Sequence, residues 1–129
     1  MPHTYAVPDT LKDHSIVPEW VQVGNKTNDG MRWPEGRAST HMASFAQLVD
    51  CGYAAVKAMN PTPKVIVRCS KGYDNRLFRY LFDGLTNNGP RFDVIGLSLH
   101  PSASDWPTRN AQCQTNSTDL AARATPTRK

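Results

Sequence analysis

Three short apolar segments alternate with two longer amphipathic segments through the middle of this chain. The apolar segments are residues 20–23, 65–67 and 94–99, and the run at 65–67 is unbroken, as in a parallel strand that is buried on both faces. The segments between them carry apolar residues at three- and four-residue spacing, which is typical of helices. The predicted order is therefore β-α-β-α-β, and right-handed crossovers bring all three strand ends to one rim.

Helix boundaries are marked by capping residues and by helix breakers. Ser39 or Thr40 is expected to cap the first helix, and Asn60, which precedes a proline, to end it. Asp74 or Asn75 is expected to cap the second helix, which an Asn-Gly pair ends. The inner positions are Phe45, Leu48, Val49, Tyr53, Val56 and Met59 in the first helix and Leu77, Phe78, Leu81, Phe82 and Leu85 in the second.

The sequence outside these segments is less regular. Residues 1–18 contain three prolines and are expected to hold the tail of a preceding helix and a connection. Residues 102–106 are predicted to form a loop, residues 116–123 a frayed helix and residues 121–129 a disordered tail. We expect residues 1–129 to form a single, partial domain of the α/β class.

The charge of the chain does not indicate a nucleic-acid partner. Its formal net charge is +4, but the fifteen lysines and arginines are scattered along the sequence. Nucleic-acid binding requires basic groups gathered on one face, usually with stacking aromatic residues. We therefore expect no nucleic acid as a partner. No apolar run approaches the roughly 20 residues of a membrane span, so no membrane partner is expected either.

The cysteine pattern does not indicate a metal or redox site. Cys51, Cys69 and Cys113 are spaced too widely for a zinc knuckle or a redox pair, so neither a metal nor a cofactor is predicted. Buried free thiols are the expectation. In an exported chain one disulfide among the three is an alternative, and the sequence does not choose the pair.

Three blocks of residues together resemble one known family. Residues 21–26 read Val-Gln-Val-Gly-Asn-Lys, and Gly-Met-Arg-Trp-Pro follows at 30–34. Residues 64–68 with Gly-Tyr-Asp-Asn at 72–75 form the second block, and residues 93–101 form the third. In this order they resemble the fourth, fifth and sixth strands of the endo-β-1,4-galactanases, or arabinogalactanases, of glycoside hydrolase family 53.

The resemblance implies that the chain is a segment of a (β/α)8 TIM barrel. Such a barrel takes about 250 residues, whereas 129 residues with three strand blocks make about half of one. Parallel strands cut from a closed sheet leave two unpaired edges. We therefore expect the isolated segment to self-associate through these edges.

The resemblance also implies a hydrolase that cleaves β-1,4-galactosidic bonds in galactan or arabinogalactan, with polysaccharide as its partner. Retaining glycosidases use two carboxyl groups about 5 to 5.5 Å apart. In this family the acid/base glutamate follows the asparagine of the fourth strand, where this chain has Lys26, and the nucleophile ends the seventh strand, which these residues do not include. An ammonium is a poor substitute for a tuned carboxylic acid, so this segment alone is expected to be inactive.

Six further positions are candidate substrate-binding residues because of the places that the resemblance gives them. They are Asn25, Trp33, Arg68, Asp74, His100 and Trp106. Trp33 and Trp106 would stack on sugar rings, or else cover the end of the barrel. Asp74 is explained fully by helix capping, which is the favoured interpretation over a substrate contact. Arg68 and His100 stand where the family is expected to have His and Tyr.

Two other functions stay open at this point. The first is a carbohydrate-binding remnant that uses Asn25 and the two loop tryptophans without cleaving a bond. The second is a small α/β domain whose basic site, formed by Lys26, Arg68 and Lys71, binds phosphate or uronate. Family members that digest plant polysaccharide are typically exported, although residues 1–4 have neither the basic nor the apolar part of a signal peptide.

Overall fold

The fold was analysed in a computed structural model, which describes residues 2–100, 102 and 105–124. Within these ranges the chain forms four helices and three strands. In chain order they are α1 (Pro2–Asp13), β1 (Trp20–Gln22), α2 (Ala38–Met59), β2 (Lys64–Cys69), α3 (Asn75–Asn88), β3 (Val94–Leu97) and α4 (Trp106–Ala124). The predicted β-α-β-α-β order is confirmed. None of the helices in the described ranges is long and apolar enough to cross a membrane.

The three strands form one parallel sheet in the order β1-β2-β3. Val21 pairs with Val65, and Arg68 pairs with Gly96. Because the strands are parallel and adjacent in chain order, their carboxyl ends lie at the same end of the sheet. The loops that follow β1, β2 and β3 therefore meet at this end, which we call the rim.

The two faces of the sheet are different. Along β2, Val65, Val67 and Cys69 are fully buried, and Val67 and Cys69 pack with residues of α2 and α3 such as Phe45 and Phe78. The residues between them, Ile66 and Arg68, point to the opposite face and are partly exposed. One face is thus covered by helices, and the other is the face that lines the interior when such a sheet closes into a barrel.

The start of α2 differs from the prediction that Ser39 or Thr40 caps it. The N-cap is Arg37, and His41 has non-helical backbone angles that kink the first turns. The Oδ1 atom of Asp29 accepts a hydrogen bond of 2.7 Å from the backbone N–H of Ser39. The capping carboxylate is thus delivered by the preceding loop, which spacing within the helix could not reveal. The predicted end at Asn60 is confirmed.

The prediction for α3 is confirmed at both ends. Asp74 is the N-cap, and its Oδ1 atom accepts a hydrogen bond of 3.0 Å from the backbone N–H of Leu77. Gly89 ends the helix in the left-handed conformation, with a φ of 67°, which glycine adopts without strain. Four of the predicted inner residues are buried: Phe78, Leu81, Phe82 and Leu85.

The last helix, α4, is longer than the frayed helix expected at 116–123. It begins at Trp106, so the end of the loop predicted at 102–106 is helical. Residues 121–124, which we expected to belong to a disordered tail, continue the helix, while residues 125–129 lie outside the described ranges. Two buried side chains, Asn116 and Leu120, anchor this mostly polar helix. Sequence periodicity alone did not indicate its full length, because its buried side contains a polar residue.

Candidate functional site

The loop after β1 is fastened to the end of β2 by two polar residues. The backbone N–H and the hydroxyl of Thr27 both donate to the carbonyl oxygen of Arg68, at 3.0 and 3.1 Å. The amide of Asn28 bonds to the backbone N–H, the hydroxyl and the carbonyl of Ser70. Thr27 is fully buried. These bonds hold the two loops together at the rim.

Sequence reasoning did not identify Thr27 or Asn28. Both follow directly after Asn25 and Lys26, so their position at the end of a strand was a signal that could have pointed to them. The Thr27 hydroxyl also lies 3.5 Å from the sulfur of Cys69. Burial raises the pKa of the Cys69 thiol to about 11, although the Thr27 contact acts in the opposite direction. All three cysteines are free thiols in the described part of the chain, but only Cys69 is buried. The expectation of a buried thiol is wrong for the exposed Cys51.

Asn25 and Arg68, two of the predicted site residues, are in direct contact. The Nη2 atom of Arg68 donates to the Oδ1 atom of Asn25 over 2.6 Å. The Nε atom of Arg68 is buried and has no hydrogen-bond partner among the residues that the structure describes. A buried donor without a partner costs about 1–3 kcal/mol.

Lys26, the residue at the expected acid/base position, is exposed to solvent. Its backbone is in the left-handed region, with a φ of 50°, and it lies between Asn25 and the buried Thr27. Within the described ranges its ammonium group forms no ion pair. The strand end therefore presents a solvated cation at this place.

Trp33 is held in the loop after β1 as an exposed platform. Its indole N–H donates to the carbonyl oxygen of Asp29 over 2.9 Å, and the guanidinium of Arg37 lies 4.3 Å from the centre of its ring. The Asp29 carboxylate also binds Arg37 and Ser39. Burial raises the pKa of Asp29, but these hydrogen bonds outweigh it and leave the pKa below its ordinary value. The Trp33 side chain itself is 58% exposed.

The remaining predicted residues lie on other parts of the rim. Asp74 caps α3 through its carboxylate, so a structural role accounts for its side chain. His100 is exposed after β3. Trp106 begins α4 and is 54% exposed. Trp33 and Trp106 thus stand on separate segments, and no described contact joins them into one surface.

Tyr73, which was not a candidate site residue in the sequence analysis, lies under the guanidinium of Arg109, 3.8 Å from the centre of its ring.

The described loops of the rim carry four carboxylates. Those of Asp29, Asp74 and Asp105 are bound by residues at helix starts, and that of Glu35 is exposed. The described residues also contain no group of three or more potential metal ligands. The arrangement can bind through hydrogen bonds, positive charge and an aromatic face. It does not contain a pair of free carboxyl groups of the kind that a retaining glycosidase uses.

Comparison with known proteins assigns the family. The sequence model of Glycosyl hydrolase family 53 matches residues 1–125. The chain belongs to glycoside hydrolase family 53. The family 53 resemblance that the three sequence blocks indicated is therefore confirmed.

Relatives of known sequence match over most of the chain. A Niallia circulans protein, described as an uncharacterized protein in the bgaB 5' region, is 40% identical over 106 residues, which are 77% of this chain and 29% of the relative. A probable arabinogalactan endo-beta-1,4-galactanase A from Aspergillus niger is 30% identical over 124 residues, which are 92% of this chain and 35% of the relative. The chain therefore spans about a third of the length of these two relatives.

Solved structures show the same fold. The catalytic domain of a family 53 protein from Ignisphaera aggregans matches with a TM-score of 0.71 and 30% identity, over 84% of this chain and 31% of that chain. A fungal beta-1,4-galactanase matches with a TM-score of 0.82 over 94% of this chain and 38% of that chain; at 23% identity this likeness concerns the fold alone. The fold is a segment of the family's (β/α)8 barrel, as predicted.

Proposed function

We propose that this chain represents strands four to six of a barrel that hydrolyses β-1,4-galactosidic bonds in galactan, and that the 129-residue polypeptide alone does not cleave them. The observation that carries the proposal is the exposed Lys26 at the end of β1, directly after Asn25, where the family places its acid/base glutamate. An ammonium group gives up its proton to a glycosidic oxygen far less readily than a tuned carboxylic acid.

The contacts around Lys26 also argue against a substitute acid in its vicinity. Asp29 is bound to Arg37 and to the start of α2, and Asp74 is bound to the start of α3. Recruiting either carboxylate would remove a helix cap, which costs about 1 kcal/mol. Glu35 lies in the turn after Trp33, nine residues beyond Lys26. The two-carboxylate mechanism of retaining enzymes thus has no support from these residues alone.

The test is a reducing-sugar assay with β-1,4-galactan on the wild-type chain and on Lys26→Glu. The assay uses a single chromatographic peak whose mass is known from light scattering, with Lys26→Ala as the matched control. We expect no turnover from any of the three, because restoring the acid does not supply a nucleophile. Turnover that Lys26→Glu raises above Lys26→Ala would contradict the proposal, since a second carboxylate would then have to be present.

A second candidate function is carbohydrate binding without cleavage. Trp33 favours it, because the ring is more than half exposed while its N–H and one of its faces are held by Asp29 and Arg37. A fixed aromatic face stacks on the apolar face of a sugar ring at little cost in conformational entropy. We propose that Trp33, together with Asn25, contacts galactan, while Arg68, His100 and Trp106 line the same rim.

Tryptophan fluorescence during titration with β-1,4-galactotetraose tests this binding function. Trp33→Ala should remove most of the response. Trp20→Ala is the matched control, because Trp20 is similarly exposed, at 46%, but lies at the opposite end of β1 and under the ammonium of Lys64. An unchanged titration in Trp33→Ala would contradict the binding function, as would an equal loss in both variants.

A further inference from the structure

We propose that the rim holds a subsite for a negatively charged sugar, whose carboxylate binds the guanidinium of Arg68. The inference rests on the proposed carbohydrate function and adds to it the class of ligand, a uronate. Three observations support it. The Arg68 side chain packs against Gly96, an uncharged partner orients its guanidinium, and two further cations lie on the loops beside it.

The Arg68 side chain packs against Gly96. The two residues are partners in the register of β2 and β3. A Cβ atom added at Gly96 would lie 3.0 Å from both Cβ and Cγ of Arg68, which is tighter than ordinary contact. The aliphatic part of Arg68 therefore lies against the glycine, on the face of the sheet opposite to the helices. A larger residue at position 96 would displace it.

The guanidinium is oriented by an uncharged acceptor. Its Nη2 atom donates to the amide oxygen of Asn25 over 2.6 Å, so one donor fixes the direction of the group while its positive charge stays uncompensated. Arginine has five N–H donors in a planar arrangement that matches a carboxylate. Within the described ranges Arg68 forms no ion pair with an acidic residue. The terminal nitrogens of Arg68 therefore still have N–H groups that can donate to a ligand.

Two lysines add positive charge on the same loops. Lys26 and Lys71 are exposed, and both have left-handed backbone angles, with φ values of 50° and 58°. Lys26 adjoins Thr27, which binds the Arg68 carbonyl, and Lys71 follows Ser70, which Asn28 binds. We call Lys26, Arg68 and Lys71 the basic rim.

The acidic residues on the rim loops form no ion pair with the basic rim within the described ranges. Asp29 binds Arg37 and Ser39, Asp74 binds the backbone of Leu77, and Asp105 binds Ser102 and Arg109. Glu35 is exposed in the turn after Trp33. The basic rim therefore carries a surplus of positive charge. A neutral galactose would offer this surface only hydroxyl groups, whereas a uronate would offer a carboxylate of matching geometry. A charge-assisted pair of this kind should raise affinity about tenfold or more.

The test uses two sugars that differ only at one carbon. Binding of methyl β-D-galactopyranosiduronate and of methyl β-D-galactopyranoside to the full 129-residue chain would be followed by ¹H–¹⁵N chemical-shift titration. We expect the uronate to bind at least tenfold more tightly, with an affinity that falls as salt is added. The largest shifts should lie at Asn25, Arg68 and Gly96.

Variants separate the role of Arg68 from general charge effects. Arg68→Met should abolish the preference for the uronate. Lys64→Met is the matched control, because Lys64 is on the same strand and the same face, about 13 Å away at the opposite end. Gly96→Ala keeps every charge but displaces the Arg68 side chain that packs against position 96. It should therefore also reduce the preference for the uronate. Each variant would first be shown to be folded by the dispersion of its spectrum.

The outcomes distinguish this proposal from the function on which it rests. If both sugars bind equally, or if Lys64→Met loses as much preference as Arg68→Met, the uronate subsite is wrong while carbohydrate binding stands. If sodium acetate or phosphate binds as tightly as the uronate, the rim is a general small-anion site and the proposal is overturned. If neither sugar nor β-1,4-galactotetraose binds, the proposed carbohydrate function itself fails.

Discussion

Thr27 shows how a single side chain holds the rim together. Its backbone N–H and hydroxyl both reach the carbonyl oxygen of Arg68, a residue 41 positions away in the sequence, and the side chain is fully buried. Asn25 and Lys26 precede it directly. Any shift of Thr27 would therefore move the residues that carry the proposed chemistry.

We predict that Thr27→Val destabilises the fold by about 1 kcal/mol, the usual net value of one buried hydrogen bond. The substitution keeps the shape of the side chain but removes the hydroxyl donor, while the Arg68 carbonyl retains the bond from the Thr27 N–H. Urea unfolding followed by tryptophan fluorescence measures the change. Thr118→Val, on the exposed side of α4, is the control and should stay within about 0.5 kcal/mol of wild type. Equal stabilities of the two variants would contradict this account of Thr27.

At the scale of the elements, α3 and α4 are joined by a polar network. The fully buried Asn116 donates to the carbonyl oxygen of Gly72 and accepts from the amide of Asn75. Asp119, one turn later on α4, accepts from Asn75 and from the guanidinium of Arg79. The position of α4 therefore depends on hydrogen bonds as well as on the burial of Leu120.

This network should make the stability of the fold depend on pH. The hydrogen bonds from Arg79 and then from Asn75 lower the pKa of Asp119 from its ordinary 3.8 to about 2. A carboxyl group whose pKa is lower in the folded state stabilises the fold fully above its unfolded pKa, and loses this effect as the pH falls toward the folded value. The contribution of Asp119 should therefore disappear between about pH 4 and pH 2.

Asp119→Asn is expected to be less stable than wild type at pH 7, with a difference that shrinks as the pH is lowered through this window. Urea midpoints at pH 7, 4, 3 and 2 measure it. Asp13→Asn, at the exposed end of α1, serves as the control for the loss of one carboxyl group. A gap between Asp119→Asn and wild type that is the same at pH 7 and pH 2 would rule out the proposed linkage.

At the scale of the whole molecule, the sheet has two open edges in the described part of the chain, β1 on one side and β3 on the other. A cavity of about 1090 Å³ lies beside β3, lined in part by Phe92, Val94, Ile95, Leu97 and Leu120. Unpaired strands next to apolar surface are sites at which protein chains associate. We therefore propose that the isolated polypeptide self-associates through this edge.

Light scattering after size-exclusion chromatography tests the association. We expect a mass that rises with concentration above the 14.3 kDa of one chain. Val94→Lys, which places a charge on the open edge strand, should lower the mass at a given concentration. Val7→Lys, at an exposed apolar position of α1, is the control and should leave it unchanged. If the measured mass of the wild type equals that of one chain at all concentrations, the proposed association is wrong.

The sequence by itself determined the local part of this structure. Apolar periodicity predicted the three strands and the inner stripe of α3. Local capping chemistry limited the start of α3 to Asp74 or Asn75 and placed the end of α2 at Asn60. These features depend on residues within a few positions of one another, so a linear pattern contains them. The ordered strand blocks were specific enough to indicate family 53.

Only the tertiary structure decided which polar groups meet. The contact of Asn25 with Arg68 joins residues 43 positions apart, and the bonds of Asn28 with Ser70 and of Asn75 with Asn116 span 42 and 41 positions. The cap that Asp29 supplies to α2, and the helical 106–124 segment, also arise from partners outside the local pattern. Hydrogen bonds of this kind require two loops or helices to be packed side by side first, and no short-range periodicity records that packing.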